Sequence, residues 1–256
     1  MEIAVSTLFN LPRPFEESIK VIPGLGTKCL ELVDAGPHAL NHIRVQELLK
    51  LKEDHGLSYS VHAPFTDVNI SAYDDGVREA ILKRLKASIK WTSELGGEIL
   101  VFHPGNSTVL ERAIPDEAWQ INLESVRDLV AYADKMRVRA LIENVPDPYP
   151  YVLKSVRDFE RFYEEIGVEV GVVLDIAHAN LRGEALDFIE RFGDLIAHVH
   201  VSDNQGDSDT HLRVGGGSID WPRIMAALKD SPFEGWITIE SYNGVMESLE
   251  LLKAIM

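Results

Sequence analysis

Side chains of the kinds that bind metal ions end six consecutive apolar runs of this sequence, and more of them follow in the adjoining loops. Buried imidazoles and carboxylates are costly unless they are paired or bind a cation. Imidazole together with carboxylate is the ligand set of Zn²⁺, Mn²⁺ or Co²⁺ and not of Ca²⁺. The predicted metal ligands are His62, His103, Glu143, Asp175, His178, His200, Asp209, His211 and Glu240.

The stretch 195–220 carries the densest part of this pattern. An apolar run with alternating polar residues ends near His200 and passes into a loop with Asp209, His211 and three consecutive glycines. The alternation predicts a buried strand. Taken alone, the stretch is equally consistent with a solvated acidic loop, and its glycines with a flexible loop or a phosphate-binding turn. His198 shares a strand face with His200, and its apolar neighbours indicate a packed histidine beneath the site.

Short β-rich runs alternate with longer helical patterns along the whole chain, which predicts parallel strands joined by right-handed helical crossovers. The predicted strands are 3–7, 29–33, 57–62, 98–103, 138–143, 170–175, 195–201 and 236–240. The predicted helices are 14–21, 40–55, 75–95, 116–136, 155–166, 184–192, 221–228 and 245–255. Eight such units predict an α/β protein with a single (β/α)₈ TIM-barrel domain over residues 1–256. An open doubly wound sheet is the alternative, although the glycine-rich turn expected after its first strand is missing.

The barrel would bring the predicted ligands together, because active sites of such barrels lie at the C-terminal ends of the strands. Several carboxylates in one axial pocket would repel one another or become protonated without a cation. The strand ends carry no lysine for Schiff-base chemistry, and the sequence has neither a Gly-x-Ser-x-Gly elbow nor a P-loop. These observations favour a metal site over other kinds of catalytic site.

Composition narrows the expected partners and compartment. The net charge of −16, without a cluster of basic residues, disfavours a nucleic-acid partner but leaves it open. The sequence contains no run of 18 apolar residues, so we expect no membrane span. Cys29 is the single cysteine and cannot form an internal disulfide, so we expect a cytoplasmic protein. The sequence does not specify an oligomeric state.

On the basis of these residues, the whole chain resembles the xylose isomerase-like TIM-barrel superfamily, which contains endonuclease IV and the sugar isomerase and epimerase barrels. The matching segments are HAPF at 62–65, FHPG at 102–105, IEN at 142–144, DIAHA at 175–179, HVSD at 200–203, DTH at 209–211 and IES at 239–241. The resemblance implies a divalent metal cofactor, Zn²⁺ or Mn²⁺, with one to three ions per chain.

The two branches of the superfamily imply different ligand sets. By its motifs, the epimerase branch implies that one ion is held by Glu143, Asp175, His200 and Glu240. In that branch the two glutamates also exchange the substrate proton, and His178 contacts the sugar. The endonuclease branch implies three zinc ions, held by all nine predicted ligands.

Three departures from the endonuclease pattern favour the epimerase branch. The stretch 198–211 resembles an HxHxxDNxGxxDxH form that is common in epimerase-like barrels, and Phe65 stands where the endonuclease has a tyrosine. The chain is also acidic, and Arg13 is the only arginine candidate for a phosphate contact in the first two strand-end loops. We therefore expect a sugar or sugar-phosphate isomerase or epimerase that acts through an enediolate. The alternatives are an endonuclease IV-like trinuclear zinc phosphodiesterase, acting on abasic DNA or a smaller phosphodiester, and a metal-binding scaffold without turnover.

Substrate contacts are expected from residues in the loops around the pocket. The residues expected to bind a small-molecule sugar or sugar phosphate are His62, Phe65, Arg213 and Trp221. Further aromatic candidates are Phe9, Tyr149 and Tyr151. Each aromatic could instead serve packing, and the guanidinium of Arg213 could form a loop salt bridge instead of binding a phosphate or an anomeric hydroxyl.

Overall fold

The computed structural model describes residues 1–256 and shows a closed barrel of eight strands in chain order. The strands are β1 (Glu2–Ser6), β2 (Cys29–Val33), β3 (Ser58–His62), β4 (Ile99–Phe102), β5 (Arg139–Glu143), β6 (Gly171–Asp175), β7 (Ile196–Val201) and β8 (Trp236–Ile239). All neighbouring strands pair in parallel, and β1 closes the barrel by pairing with β8. The predicted barrel is confirmed, and the open doubly wound sheet is excluded.

Helices follow the strands and surround the barrel. They are α1 (Phe15–Val21), α2 (His42–His55), α3 (Asp75–Glu94), α4 (Glu117–Met136), α5 (Val156–Glu165), α6 (Ile176–Asn180), α7 (Ala185–Phe192), α8 (Trp221–Asp230) and α9 (Val245–Ile255). Short 3₁₀ turns cover Thr7–Asn10, Ile22–Gly24, Gly36–His38 and Val109–Arg112. The sequence predicted eight helices, and the additional one is α6, a single turn directly after β6. No helix is both long and apolar enough to cross a membrane.

Local sequence signals set where the helices begin and end. Asp74 accepts a hydrogen bond from the backbone N–H of Val77 at 2.9 Å and caps α3. Ser155 and Asp158 form a reciprocal capping box at the start of α5. Gly56 ends α2 with a φ of 64°, a left-handed conformation that favours glycine. These capping residues fix where α3 and α5 begin and where α2 ends.

Alternation along the strands divides the apolar core from the barrel interior. In β7, Val199 and Val201 belong to the apolar cluster of 57 buried residues between barrel and helices, whereas His198 and His200 take the intervening positions. In β5, Ile142 belongs to the same cluster and Glu143 follows it on the other face. Because side chains alternate across a strand, the polar residues of these strands fill the barrel interior.

The strand ends bring the predicted ligands to one rim. Asp175 and His200 are register partners of β6 and β7. The strands β4 and β8 are one residue shorter at this end than predicted, so His103 and Glu240 come directly after them. Because all eight strands are parallel, these residues reach the same end of the barrel.

Candidate metal centre and substrate cavity

Four buried residues from four neighbouring strands form the centre of the site. Glu143, Asp175, His200 and Glu240 each offer one ligand atom, and these atoms all lie within 4.8 Å of one another. The Nδ1 atom of His200 is 3.2 Å from Glu143 Oε1 and 3.2 Å from Glu240 Oε2. Exposure of the four residues is at most 4%. Three carboxylates so close together and so buried need a compensating positive charge.

Two further groups of ligands adjoin this centre. His62 Nε2 and His103 Nε2 lie 3.2 and 3.1 Å from Glu143 Oε2. In the 202–218 loop region, Asp209 Oδ2 lies 3.5 Å from His178 Nε2 and 3.3 Å from His211 Nε2. The structure therefore brings all nine predicted ligands together at the C-terminal end of the barrel.

Three of these histidines are oriented by the backbone. The Nδ1–H groups of His62, His178 and His211 donate to the carbonyls of Ala63, Asn144 and Glu240, at 2.8, 2.9 and 2.8 Å. A carbonyl only accepts hydrogen bonds, so Nδ1 of each ring carries a proton. In the neutral imidazole, Nε2 then presents its lone pair to the site, which is the arrangement of a metal-ligating histidine.

Buried oxygen atoms of the site lack partners within the protein. Asp175 Oδ2 and Asp209 Oδ1 are buried and accept no hydrogen bond. A buried carboxylate oxygen without a partner is costly. Together with the imidazole lone pairs, these oxygens make a donor set that fits a transition metal ion or Zn²⁺. The residues therefore could hold a metal.

The carboxylates of the site raise the pKa values of two neighbouring imidazoles, those of His178 and His211. Burial lowers the pKa of His178, but the carboxylates of Asp175 and Asp209 outweigh burial and raise it to about 10. Burial also opposes the charged form of His211, and Asp209 outweighs it, so the pKa of His211 is about 9. Burial raises the pKa of Asp175 to about 6. At neutral pH the imidazoles of His178 and His211 therefore carry a proton and offset part of the negative charge of the site.

A cavity of about 280 Å³ opens above these ligands. Its lining residues are Leu8, His62, Phe65, Thr66, His103, Glu143, Pro146, Tyr149, Tyr151, His178, Asp209, His211, Glu240 and Tyr242. The floor consists of imidazoles and carboxylates, and the upper wall is mostly aromatic. The lining contains no lysine or arginine, so no ammonium or guanidinium group is offered to an anionic substrate.

A family model described as xylose isomerase-like TIM barrel matches residues 20–255. The chain belongs to this family. A structure described as a D-tagatose 3-epimerase-like protein superposes with a TM-score of 0.94 and 28% identity, covering 100% of this chain and 97% of that one. The barrel fold is thus shared over the whole chain, and a sugar isomerase or epimerase is supported at the level of the family.

Curated relatives in the family have differing descriptions. An uncharacterized protein of Methanocaldococcus jannaschii, MJ1311, is 29% identical over 99% of this chain and 88% of its own length. The fructoselysine 3-epimerase of Shigella flexneri is 21% identical over 94% of this chain and 90% of its own. A probable endonuclease 4 of Aquifex aeolicus is 25% identical over 68% of this chain and 66% of its own. Both branches expected from the sequence are therefore among the relatives.

Two residues expected to bind substrate lie elsewhere in this family member. Trp221 is buried and donates its indole N–H to Asp203 Oδ2 at 2.8 Å, outside the cavity lining. Arg213 is exposed and also absent from the lining. The expectation that these two side chains line the pocket is wrong, because the segment 213–221 folds back onto Asp203. The preceding part of the same loop does reach the cavity, through Asp209 and His211. His62 and Phe65 do line it, as do Tyr149 and Tyr151, whereas Phe9 does not.

Asp203 organises that loop. Its carboxylate accepts hydrogen bonds from the backbone N–H groups of Asn204 and Gly215, at 2.9 and 3.0 Å. A Cβ on Gly217 would lie 2.2 Å from the Asn204 carbonyl oxygen, so this position requires glycine. The N–H of Gly216 donates to the Arg213 carbonyl at 2.8 Å. The glycines therefore serve close packing and not a phosphate-binding turn.

Three residues near the site were not singled out as functional by the sequence. Asn144 joins β5 to β6 by accepting from the Asp175 N–H at 2.7 Å and donating to its carbonyl at 3.0 Å. Tyr242 lines the cavity beside His211, with ring centroids 4.7 Å apart. Glu31 lies fully buried in the barrel interior. A glutamate within the otherwise apolar run CLELV was the signal that could have revealed it.

His198 has polar neighbours, contrary to the sequence interpretation. It is fully buried, with Nε2 3.0 Å from Glu31 Oε2 and 2.8 Å from Thr238 Oγ1. The apolar residues next to it in the sequence face outward, because neighbours along a strand point to opposite faces. Its position beneath the metal centre agrees with the prediction, but its surroundings do not.

Proposed function

We propose that this protein is a divalent-metal-dependent epimerase or isomerase of an uncharged sugar. The observation that carries the proposal is the pairing of Glu143 and Glu240 on the floor of the aromatic-walled cavity. Their ligand atoms lie within 4.8 Å of those of Asp175 and His200. Two carboxylates at one reacting carbon can remove a proton and return one. That is the equipment an epimerase needs.

The four central residues have two roles in the proposed reaction, metal binding and proton transfer. Glu143, Asp175, His200 and Glu240 would hold the ion, which when bound would polarise adjacent oxygens of the sugar and lower the cost of an enediolate. One glutamate takes the proton from the carbon next to the carbonyl, and the electron pair of that C–H bond forms the enediolate double bond. The other glutamate returns a proton to the same carbon from the opposite face or to its neighbour. The first outcome is epimerisation and the second isomerisation.

His178 and His62 are suited to orienting the sugar. Each has its Nδ1–H committed to a backbone carbonyl, so that Nε2 faces the cavity. Phe65 lies beside His62 with ring centroids 5.4 Å apart and offers an apolar face to the C–H groups of a sugar ring. These side chains are placed to fix the substrate over the two glutamates.

The lining of the cavity favours a free sugar over a sugar phosphate. Arginine and lysine are the usual side-chain partners of phosphate, and the lining contains neither. The two arginines considered for a phosphate contact, Arg13 and Arg213, both lie outside the lining. The names of the relatives and neighbours, fructoselysine 3-epimerase and D-tagatose 3-epimerase-like protein, point in the same direction.

Proton exchange in D₂O tests the proposal directly. The protein is loaded with Mn²⁺ or Zn²⁺ and incubated with a panel of ketoses and their phosphates, and deuterium at the carbons beside the carbonyl is followed by mass spectrometry and NMR. We expect deuterium and a new epimer with at least one free ketose. Absence of exchange over a broad panel, in a protein that binds the metal, would contradict the proposal.

A metallo-phosphodiesterase is the second candidate, and the two outer groups of ligands favour it. His62 with His103, and His178 with Asp209 and His211, give the site room for more than one ion. Several ions acting together are suited to phosphodiester hydrolysis. Cleavage of an abasic-site duplex, without deuterium entering any sugar, would replace the epimerase proposal by this one.

A further inference from the structure

A buried carboxylate from β2 supports the metal centre from below. Glu31 is fully buried, with Oε1 3.1 Å from His200 Nε2 and Oε2 3.0 Å from His198 Nε2. The hydroxyl of Ser60 donates to Oε2 at 3.2 Å. Glu31 does not line the substrate cavity, and it is not one of the four central ligands. It can therefore affect the site only through another residue.

Glu31 Oε1 and His200 Nε2 lie 3.1 Å apart, at ion-pair distance. Both atoms are buried, and neither makes a hydrogen bond of good geometry to any other group in the protein. The opposite ring nitrogen of His200, Nδ1, faces Glu143 and Glu240 at 3.2 Å each. One imidazole thus bridges the carboxylate of Glu31 and the ligand cluster above it.

This bridge determines which nitrogen of His200 can bind a cation. A neutral imidazole carries one proton, and a carboxylate accepts a hydrogen bond only from a protonated nitrogen. With the proton on Nε2 and directed at Glu31, the lone pair lies on Nδ1, towards the other ligands. Carboxylate–histidine–metal arrangements of this kind fix the tautomer and the ring orientation and make the imidazole a better ligand.

We propose that Glu31 is a positioning residue that holds His200 in the Nε2–H form with Nδ1 aimed at the metal. The inference rests on the metal centre of the proposed function. His198 and Ser60 hold the other oxygen of the same carboxylate and keep Oε1 directed at His200. A buried carboxylate carries a desolvation cost, and fixing the orientation of His200 is the role that we assign to it.

The test compares Glu31→Leu with Ser60→Ala as its matched control. The leucine fills a similar volume without an acceptor, whereas the alanine removes one contact of Glu31 and leaves the His200 contact in place. Affinity for Mn²⁺ and Zn²⁺ is measured by titration calorimetry, and folding by circular dichroism and thermal melts. We expect Glu31→Leu to bind metal about 10–100-fold more weakly, as is typical when such a partner is removed, and Ser60→Ala to remain close to wild type.

A spectroscopic signature separates positioning from a merely structural role. In the zinc-loaded, ¹⁵N-labelled wild type, the Nε2–H proton of His200, assigned by its loss in His200→Gln, should resonate far downfield and exchange slowly with solvent. In Glu31→Leu it should move upfield and exchange faster. Glu31→Gln keeps the volume and a neutral acceptor, so it should give a smaller upfield shift and a several-fold loss of affinity.

Three results would overturn the inference. Wild-type affinity together with a wild-type Nε2–H resonance in folded Glu31→Leu or Glu31→Gln would show that His200 does not depend on Glu31. A lower melting temperature with unchanged metal affinity would assign Glu31 to stability alone. Failure of the wild type to bind any divalent ion would instead remove the metal centre and the proposed function along with it.

Discussion

Glu143 and His200 face each other across the barrel from β5 and β7, with Oε1 and Nδ1 3.2 Å apart. Glu143 is also the residue that His62 and His103 approach from the other side, so one carboxylate belongs to two groups of ligands. Burial would raise the pKa of Glu143, but His200 and His103 outweigh it and hold the pKa well below its ordinary value. The carboxylate is therefore ionised and ready to bind a cation.

The two central glutamates can be tested by isosteric replacement. Glu143→Gln and Glu240→Gln should leave the fold intact but abolish turnover, with a loss beyond the roughly 10²–10⁴-fold of acid–base catalysis alone, because each also contributes to metal binding. Rates of deuterium exchange and metal content per chain provide the measurement. Glu250→Gln, an exposed position on α9, is the control and should behave as wild type. Near wild-type turnover in either central variant removes that glutamate from the mechanism.

The outer ligands separate the two candidate functions. Asp209→Ala combined with His211→Ala removes one outer group without touching the four central residues. For an epimerase, we expect the double variant to keep one ion per chain and measurable proton exchange at the sugar carbon. For a phosphodiesterase, the same variant should lose cleavage of an abasic-site duplex. Metal analysis with both assays on parent and variant distinguishes the outcomes.

Stability should depend on pH in opposite ways with and without metal. The pKa values of His178 and His211 are raised to about 10 and 9, above the value of about 6.5 in an unfolded chain. Their contribution to stability is fully present below pH 6.5 and is lost as the pH rises through 9 to 10. Metal ligation needs the neutral rings and becomes stronger over the same range.

The difference in melting temperature between metal-loaded and chelator-treated protein should therefore widen from pH 6.5 to pH 9. Thermal melts in matched buffers measure it. The double variant lacking Asp209 and His211 serves as the control, since one of the shifted histidines and its carboxylate partner are gone. A gap that stays constant with pH would show that these imidazoles do not exchange protons for the ion.

Asp203 should matter for stability and not for chemistry. It is fully buried, and its carboxylate accepts from Trp221 Nε1 and from the backbone N–H groups of Asn204 and Gly215. Each buried donor left unpaired costs about 1–3 kcal/mol, so Asp203→Ala should lower the free energy of unfolding by about 3 kcal/mol or more. Chemical denaturation checks this.

Trp221→Phe is the milder companion to that change. It removes one of the four donors to Asp203, the fourth being the backbone N–H of Ile219 at 3.3 Å, and should lower the free energy of unfolding by about 1 kcal/mol. Because Trp221 lies outside the cavity lining, KM for any substrate found should not change. A large rise in KM with an unaltered melting temperature would show that Trp221 contributes to substrate binding after all.

The sequence by itself determined the barrel and the convergence of its ligands. Eight alternating units imply parallel strands, and parallel strands in a closed barrel share one C-terminal rim. The positions of Glu143, Asp175 and His200 at strand ends therefore sufficed to bring them together, without knowledge of any distance. Spacing along the chain carries this information because the strand and helix periods are local properties.

Only the tertiary structure decided which side chains face the cavity and which support it. Arg213 and Trp221 lie in or next to a loop whose path depends on Asp203, a partner reached through folding and not through spacing. Glu31 lies in an apolar strand, and its meeting with His200 follows from barrel closure, which brings β2 opposite β7. Such contacts join residues far apart in sequence, so no local pattern records them.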